Sequence, residues 1–271
     1  MGRALPKHFL IGSSTAAYQV EGNNTNSDFW AEEYAEGSPY ADKSGDAIDH
    51  YRLYREDIAL MASLGLKAYR FSLEWARIEP APGQYSRSAL AHYRDMIAAC
   101  HEHGLTPIVC LHHFSSPQWL MRFGGWASPD TPDRFAKYCE VVFRELGELI
   151  PYCLTFNEVN LPTMLRHVFA MNGIVPPVGI DASAWSAPKW REEAARLCGT
   201  TVDKYVTFHM VSDEPTIQLL KKAHRQAREV IRRVSPHTRV GWSMALSDIQ
   251  ALPGGERHAE ARWELVFRQF L

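Results

Sequence analysis

Apolar residues recur along the chain in two alternating patterns. From Asp46 to Leu64, Ile48, Tyr51, Ile58 and Met61 fall at helical spacing, and Gly65 follows as a stop. The next stretch, "LKAYRFS", is short and reads as a strand. The same phrase returns three times. "ALAHYRDMIAACHEH" ends at Gly104 before "TPIVCLH", "RFAKYCEVVFREL" ends at Gly147 before "YCLTF", and "TIQLLKKAHRQAREVIRRV" stops at Ser235-Pro236 before "RVGWSMA". "HFLIGSST" supplies an opening strand ahead of them all. Each strand is a nearly continuous apolar run, which predicts parallel strands covered on both faces.

A repeated helix-then-strand unit fits an open doubly wound sheet or a (β/α)8 barrel. No GxGxxG follows any strand, which disfavours the nucleotide-binding version of the open sheet. Polar groups collect instead where strands end: Gln19 and Glu21 beyond the first, Arg70 and Ser72 on the second, His112 and His113 on the third, Asn157 and Glu158 on the fourth. In a barrel those ends meet at one mouth. Eight units of about 40 residues need roughly 320 residues, and the 271 present hold five clear units and a tail. The expected fold is therefore α/β, an incomplete (β/α)8 TIM barrel of about five parallel strands with covering helices, forming a single partial domain over residues 1–271. "GGERHAEARWELVFRQFL" reads as a helix beginning near His258.

Composition narrows the partners. The 46% hydrophobic content supports a sizeable core. A formal charge of -2 from 29 Lys and Arg against 31 Asp and Glu gives no reason to expect nucleic acid or an anionic membrane. Small neutral ligands fit better. Five cysteines without a CxxC pair indicate neither a disulfide framework nor a zinc site, so buried reduced thiols in a cytoplasmic protein are expected. The start "MGRALPKHFLIG" lacks a long apolar core with a cleavage site, and no run approaches 18 apolar residues.

Among the candidate chemical groups, Glu158 stands out, because a partly desolvated carboxyl at a converging mouth keeps its proton more readily and suits general acid work. The alternative is a surface Glu capping the next helix. Asn157 could orient a substrate hydroxyl or bond to backbone in a turn. Adjacent His112 and His113 face opposite ways on a strand, so at most one enters the mouth and a metal pair is disfavoured. His101 and His103, at the end of a helix, suit capping. Arg70 on an apolar strand is costly to bury unpaired and should face a carboxylate, which need not lie within these residues. Trp30, Trp75, Trp119 and Trp126 lie where rings could either stack on sugars or simply pack.

These motifs together closely resemble glycoside hydrolase family 1, the β-glucosidase and β-galactosidase family. "FLIGSSTAAYQVEG" looks like its N-terminal signature, and "YRFSLEWARIEP", "LHHFSSPQWL", "GGW" and "TFNEVN" resemble its successive strand-end motifs in order. The resemblance implies a retaining β-glycosidase that hydrolyses terminal β-linked sugars and needs no cofactor or metal. It also implies that Gln19 and His113 bind hydroxyls of the terminal sugar, that Asn157 holds the 2-hydroxyl, and that Glu158 is the acid/base. Arg70 would lie beside the nucleophile and keep it ionised.

Three departures qualify this picture. Val159 stands where the family usually has the proline of NEP, and Phe114 where it commonly has Trp. The nucleophilic Glu of a TENG-type motif, placed by the family at the seventh strand, occurs nowhere in the 271 residues. The expectation is accordingly a nucleophile from elsewhere, and a homo-oligomer or complementing chain that covers an open barrel. Glu74 as a substitute nucleophile is a lesser alternative. The competing expectation is a noncatalytic truncated remnant that binds sugar or a protein partner.

Overall fold

The computed structural model describes residues 6, 9–170 and 188–271. Five parallel strands form one sheet in sequential order: β1 (Gly12–Ser14), β2 (Ala68–Ser72), β3 (Thr106–Cys110), β4 (Tyr152–Leu154) and β5 (Arg239–Gly241). Strictly sequential order with a helix in each crossover is the arrangement of a barrel wall, not of a doubly wound sheet whose order reverses.

Register aligns Ser14, Arg70, Ile108, Tyr152 and Arg239 in one row across the five strands. The alternate residues Tyr69, Phe71, Val109 and Cys153 are buried beneath the helices His50–Ser63, Arg87–Glu102, Thr131–Leu146 and Glu214–Val234. Arg70, Ile108, Tyr152 and Leu154, on the opposite face, are only half-buried. Among the described residues helices cover one face of the strands and leave the other partly open, where an apolar run by itself predicts cover on both. An apolar run cannot distinguish these cases, because the inward face of a barrel wall is as apolar as a helix-covered one.

Local signals explain most boundaries. Gly65 and Gly104 close their helices in left-handed conformation, at φ +82° and +70°, where a Cβ is costly. Gly147 differs. Its φ is -57°, it opens a 3-10 turn, and an added Cβ would meet Phe143 and Ser235 at 3.1 Å, so close packing is what it permits. The Glu214–Val234 helix is capped by Asp213, whose side chain accepts from Thr216 N, and it buries Ile217, Leu220, Ala223, Ala227 and Ile231 along one face.

The first long helix begins at His50 and not at Asp46, because Ala47 and Asp49 adopt φ +50° and +54° and leave Ile48 60% exposed. Of the opening stretch, His8 lies outside the described residues, Phe9 to Ile11 are exposed, and only Gly12–Ser14 pairs. The last helix, Glu256–Val266, starts close to its expected place. All five cysteines are free and buried. No described helix is long and apolar enough to cross a membrane.

Candidate active site

At the C-terminal ends of β2 to β5, side chains from four different segments form one hydrogen-bonded chain. Arg70 Nη1 donates to Asn157 Oδ1 at 2.8 Å. Since a guanidinium can only donate, this bond fixes the carboxamide with its oxygen toward Arg70. Asn157 Nδ2 then meets His113 Nε2 at 3.2 Å, and that nitrogen must accept. His113 is therefore neutral. Burial first, then the Arg70 charge and His209, push its pKa down to about 3, in agreement with the geometry. Asn157 itself is 1% exposed.

Glu158 follows in left-handed conformation at φ +47°, half-buried. A non-glycine residue seldom holds that backbone without support from its surroundings. The support comes from the segment after β5. Ser243 N donates to Phe156 O, and Val159 N donates to Ser243 O, both at 3.0 Å. Ser243 Oγ accepts from Glu158 N at 3.1 Å and donates to Asn157 Oδ1 at 3.2 Å. Buried Asn160 completes the clasp: its Oδ1 accepts from Ala245 N at 2.8 Å, and its Nδ2 donates to Ala245 O at 2.9 Å and Val266 O at 3.2 Å. Among the described residues nothing engages the Glu158 carboxylate, which leaves it available to a ligand.

Arg70 forms no ion pair among the described residues, and its Nε is buried without a partner. Among the described residues its partner is the Asn157 carboxamide, a neutral group that leaves the charge uncompensated. His112 and His113 do face opposite ways. His112 is buried among Trp126, Phe156 and Phe208, with Nε2 3.0 Å from Ser116 Oγ. Gln19 is exposed on the short Ala17–Val20 helix after β1, outside the Arg70–Asn157–His113 chain. No group of three or more metal-ligating side chains occurs among the described residues.

Other polar candidates turn out to be structural. Glu21 is buried, pairs with Arg77 at 2.9 Å and accepts from Tyr93 Oη at 2.8 Å. Glu74 caps the Trp75–Ile78 helix through Ala76 N and accepts from Ser115 Oγ at 2.8 Å, so both its oxygens are engaged. Trp75, Trp119 and Trp126 belong to the core, and Trp30 stacks on Tyr34. His101 Nε2 reaches the Leu149 carbonyl at 2.8 Å, across to a neighbouring segment and not to its own helix end. A cavity of about 470 Å³ between the Arg87–Glu102 and Thr131–Leu146 helices is lined by none of the strand-end groups.

Two residues escaped the strand-end reading. Ser243 lies just past β5, where the same rule applied to "RVGWSMA" finds it. His209 sits between β4 and β5, stacked on Phe29 at 5.1 Å and beside Phe114 at 4.9 Å, in a stretch with no periodic signal.

Burial leaves a pH signature. The Glu21 carboxyl is pushed from its ordinary 4.5 up to about 7, chiefly by burial, against the pull of Arg77 and Tyr93 and with the help of Glu74. Burial likewise carries Glu32 to about 7. A carboxyl raised on folding contributes stability that is complete below its unfolded value and lost as pH rises through its folded one. Burial lowers His92, His113, His209 and His224 to between about 3 and 4, and His112 in the same direction, so they act in the opposite sense over an overlapping range, their contribution building as pH rises through 6.5. The contribution of Glu21 and Glu32 therefore falls away between about pH 4.5 and 7 and is nearly flat above, and it is read in thermal melts as the difference between the parent chain and a variant lacking one of these carboxyls. Stability of the parent relative to Glu21→Gln should fall by about 2 to 3 kcal/mol as pH rises from 4.5 to 7.5. An unchanged slope in the variant would exclude Glu21 as a source.

The family model for glycosyl hydrolase family 1 matches residues 1–262. Beta-glucosidase A of Acetivibrio thermocellus is 37% identical over 174 residues, which cover 62% of this chain and 39% of that protein. The 1,4-beta-D-glucan glucohydrolase of Thermotoga neapolitana is 28% identical over 275 residues, covering 99% of this chain and 57% of its own. The crystal structure of beta-glycosidase BGL167 superposes with a TM-score of 0.88 at 46% identity, over 98% of this chain and 62% of that one. The chain thus spans about four-tenths to six-tenths of the length of the relatives it matches. A sequential parallel sheet with the Arg70, His113 and Asn157–Glu158 cluster at its strand ends, a match over nearly the whole sequence and TIM-barrel glycosidases as structural neighbours have one reading: the chain belongs to glycosyl hydrolase family 1.

Proposed function

We propose that the chain carries the acid/base and part of the sugar-binding side of a retaining β-glycosidase that hydrolyses terminal β-linked sugars. The observation that carries the reading is the Arg70–Asn157–His113 chain beside a Glu158 carboxylate with no intramolecular partner. Glu158 protonates the glycosidic oxygen as its bond to the anomeric carbon breaks, and later takes a proton from the attacking water. Asn157 holds the 2-hydroxyl, and His113 and Gln19 receive other hydroxyls of the same ring.

Retention requires a second carboxyl about 5 to 5.5 Å from the first. Glu74 does not suit this role, being buried with both oxygens bonded. In this reading the nucleophile comes from outside the 271 residues, from further polypeptide or from a complementing chain, and it approaches the uncompensated Arg70 guanidinium. The half-open sheet face and the outer edges of β1 and β5 are where such a partner, including a second copy in a homo-oligomer, would pack. The location proposed is the cytoplasm.

The test is release of p-nitrophenol from aryl β-glucoside, β-galactoside and β-fucoside, with light scattering on the same fractions. Turnover confined to associated or complemented species is the expected result. A compact monomer at micromolar concentration would overturn self-association. Absence of turnover in every state would overturn the glycosidase reading and favour a noncatalytic sugar- or partner-binding role.

A further inference from the structure

We propose that Ser243 is a positioning residue, whose single hydroxyl sets both the carboxamide of Asn157 and the backbone of Glu158. The inference rests on the glycosidase reading for its consequence in turnover, and on geometry alone for the positioning itself. A serine hydroxyl has one proton to donate and lone pairs to accept with. The Glu158 amide can only donate, so the 3.1 Å contact makes Ser243 Oγ the acceptor there. Its own proton is then free for Asn157 Oδ1 at 3.2 Å, and that oxygen is already fixed as an acceptor by Arg70 at 2.8 Å. All three assignments are mutually consistent and leave one arrangement.

Two consequences follow for the site. With two donors on its oxygen, the Asn157 amide cannot flip without turning its NH2 toward a guanidinium, so Nδ2 stays on the His113 side. Glu158 also keeps a partner for an N–H that its φ of +47° directs away from any helix or strand ladder. The hydroxyl is not on a loose loop. Ser243 is bonded through its backbone to Phe156 on one side of the dipeptide and Val159 on the other, so the hydroxyl is held by the paired segments that continue β4 and β5. Geometry for a proton donor must hold to a fraction of an ångström, and this residue supplies it without touching the substrate.

The experiment compares Ser243→Ala and Ser243→Thr with the parent chain. Threonine retains the hydroxyl and alanine does not. Amide hydrogen exchange at Glu158 should speed about tenfold or more in the alanine variant, and the Asn157 side-chain NH2 signals should shift, with threonine restoring both. In turnover, kcat/KM for p-nitrophenyl β-glucoside should fall about tenfold for alanine, mostly in kcat, again restored by threonine. Unchanged exchange and unchanged Asn157 signals in Ser243→Ala would overturn the proposal. So would a threonine variant that behaves as alanine does. If both NMR effects occur with no turnover in any variant, the positioning role stands, and it is the glycosidase reading that fails.

Discussion

Glu158→Gln is expected to lower kcat/KM for phenyl β-glucoside by about 10²- to 10⁴-fold, the contribution typical of a positioned general acid. The substitution should leave the fold alone. No hydrogen bond or ion pair among the described residues involves the Glu158 side chain, and its left-handed backbone is held through its N–H, which glutamine retains. Melting should therefore stay within about 0.5 kcal/mol of the parent. That separation matters, because loss of turnover with loss of fold would say nothing about proton transfer. Activity that survives the substitution would remove Glu158 from the role assigned to it.

Trp75→Ala should be the most damaging core change, costing about 3–5 kcal/mol in denaturant unfolding. Trp75 is 1% exposed and lies at the centre of an aromatic cluster, with Tyr138 at 5.1 Å, Phe135 at 5.6 Å, Trp119 at 5.8 Å and Trp126 at 6.5 Å between ring centroids. Its indole N–H donates to Glu79 Oε2 at 2.7 Å, so truncation leaves both a cavity and an unpartnered buried carboxyl oxygen. Trp30→Ala, at a half-buried ring stacked on Tyr34, should cost far less. Equal losses at the two positions would contradict the assignment of Trp75 to the core. A sugar-stacking role for Trp75 would instead show as weakened ligand binding with stability intact.

How much of this could be read beforehand depended on whether the signal was local. Gly65 and Gly104 mark helix ends because the chain there needs a left-handed turn, and β2 and β3 follow directly behind these stops. Gly147 occupies the corresponding place for a different reason, close contact with Phe143 and Ser235, which spacing alone cannot distinguish. His112 and His113 have different surroundings, as alternation on a strand would give, but both lie past the end of β3 at Cys110. The role of the tryptophans was not legible, since a ring that stacks on sugar and one that packs against Tyr138 have the same composition and position.

Arg70 shows the limit most clearly. Half-buried on an apolar strand, it needs a partner, and the one it has among the described residues, Asn157, lies 87 residues away. Ser243 and Asn160 are of the same kind, since their bonds to Glu158, Ala245 and Val266 span 85 to 106 residues. No pattern of hydrophobic and polar positions encodes such pairings. They exist only once the sheet from β2 to β5 has formed and the Glu256–Val266 helix lies against its end.

The most direct test of the account is a leaving-group comparison. A 2,4-dinitrophenolate departs from the anomeric carbon without protonation, whereas phenolate needs a proton as the bond breaks, and kcat/KM reports that first step alone. If Glu158 is the acid, Glu158→Gln should lower kcat/KM for phenyl β-glucoside by about 10²- to 10⁴-fold while lowering that for 2,4-dinitrophenyl β-glucoside by less than about tenfold. Equal losses for the two substrates would contradict it.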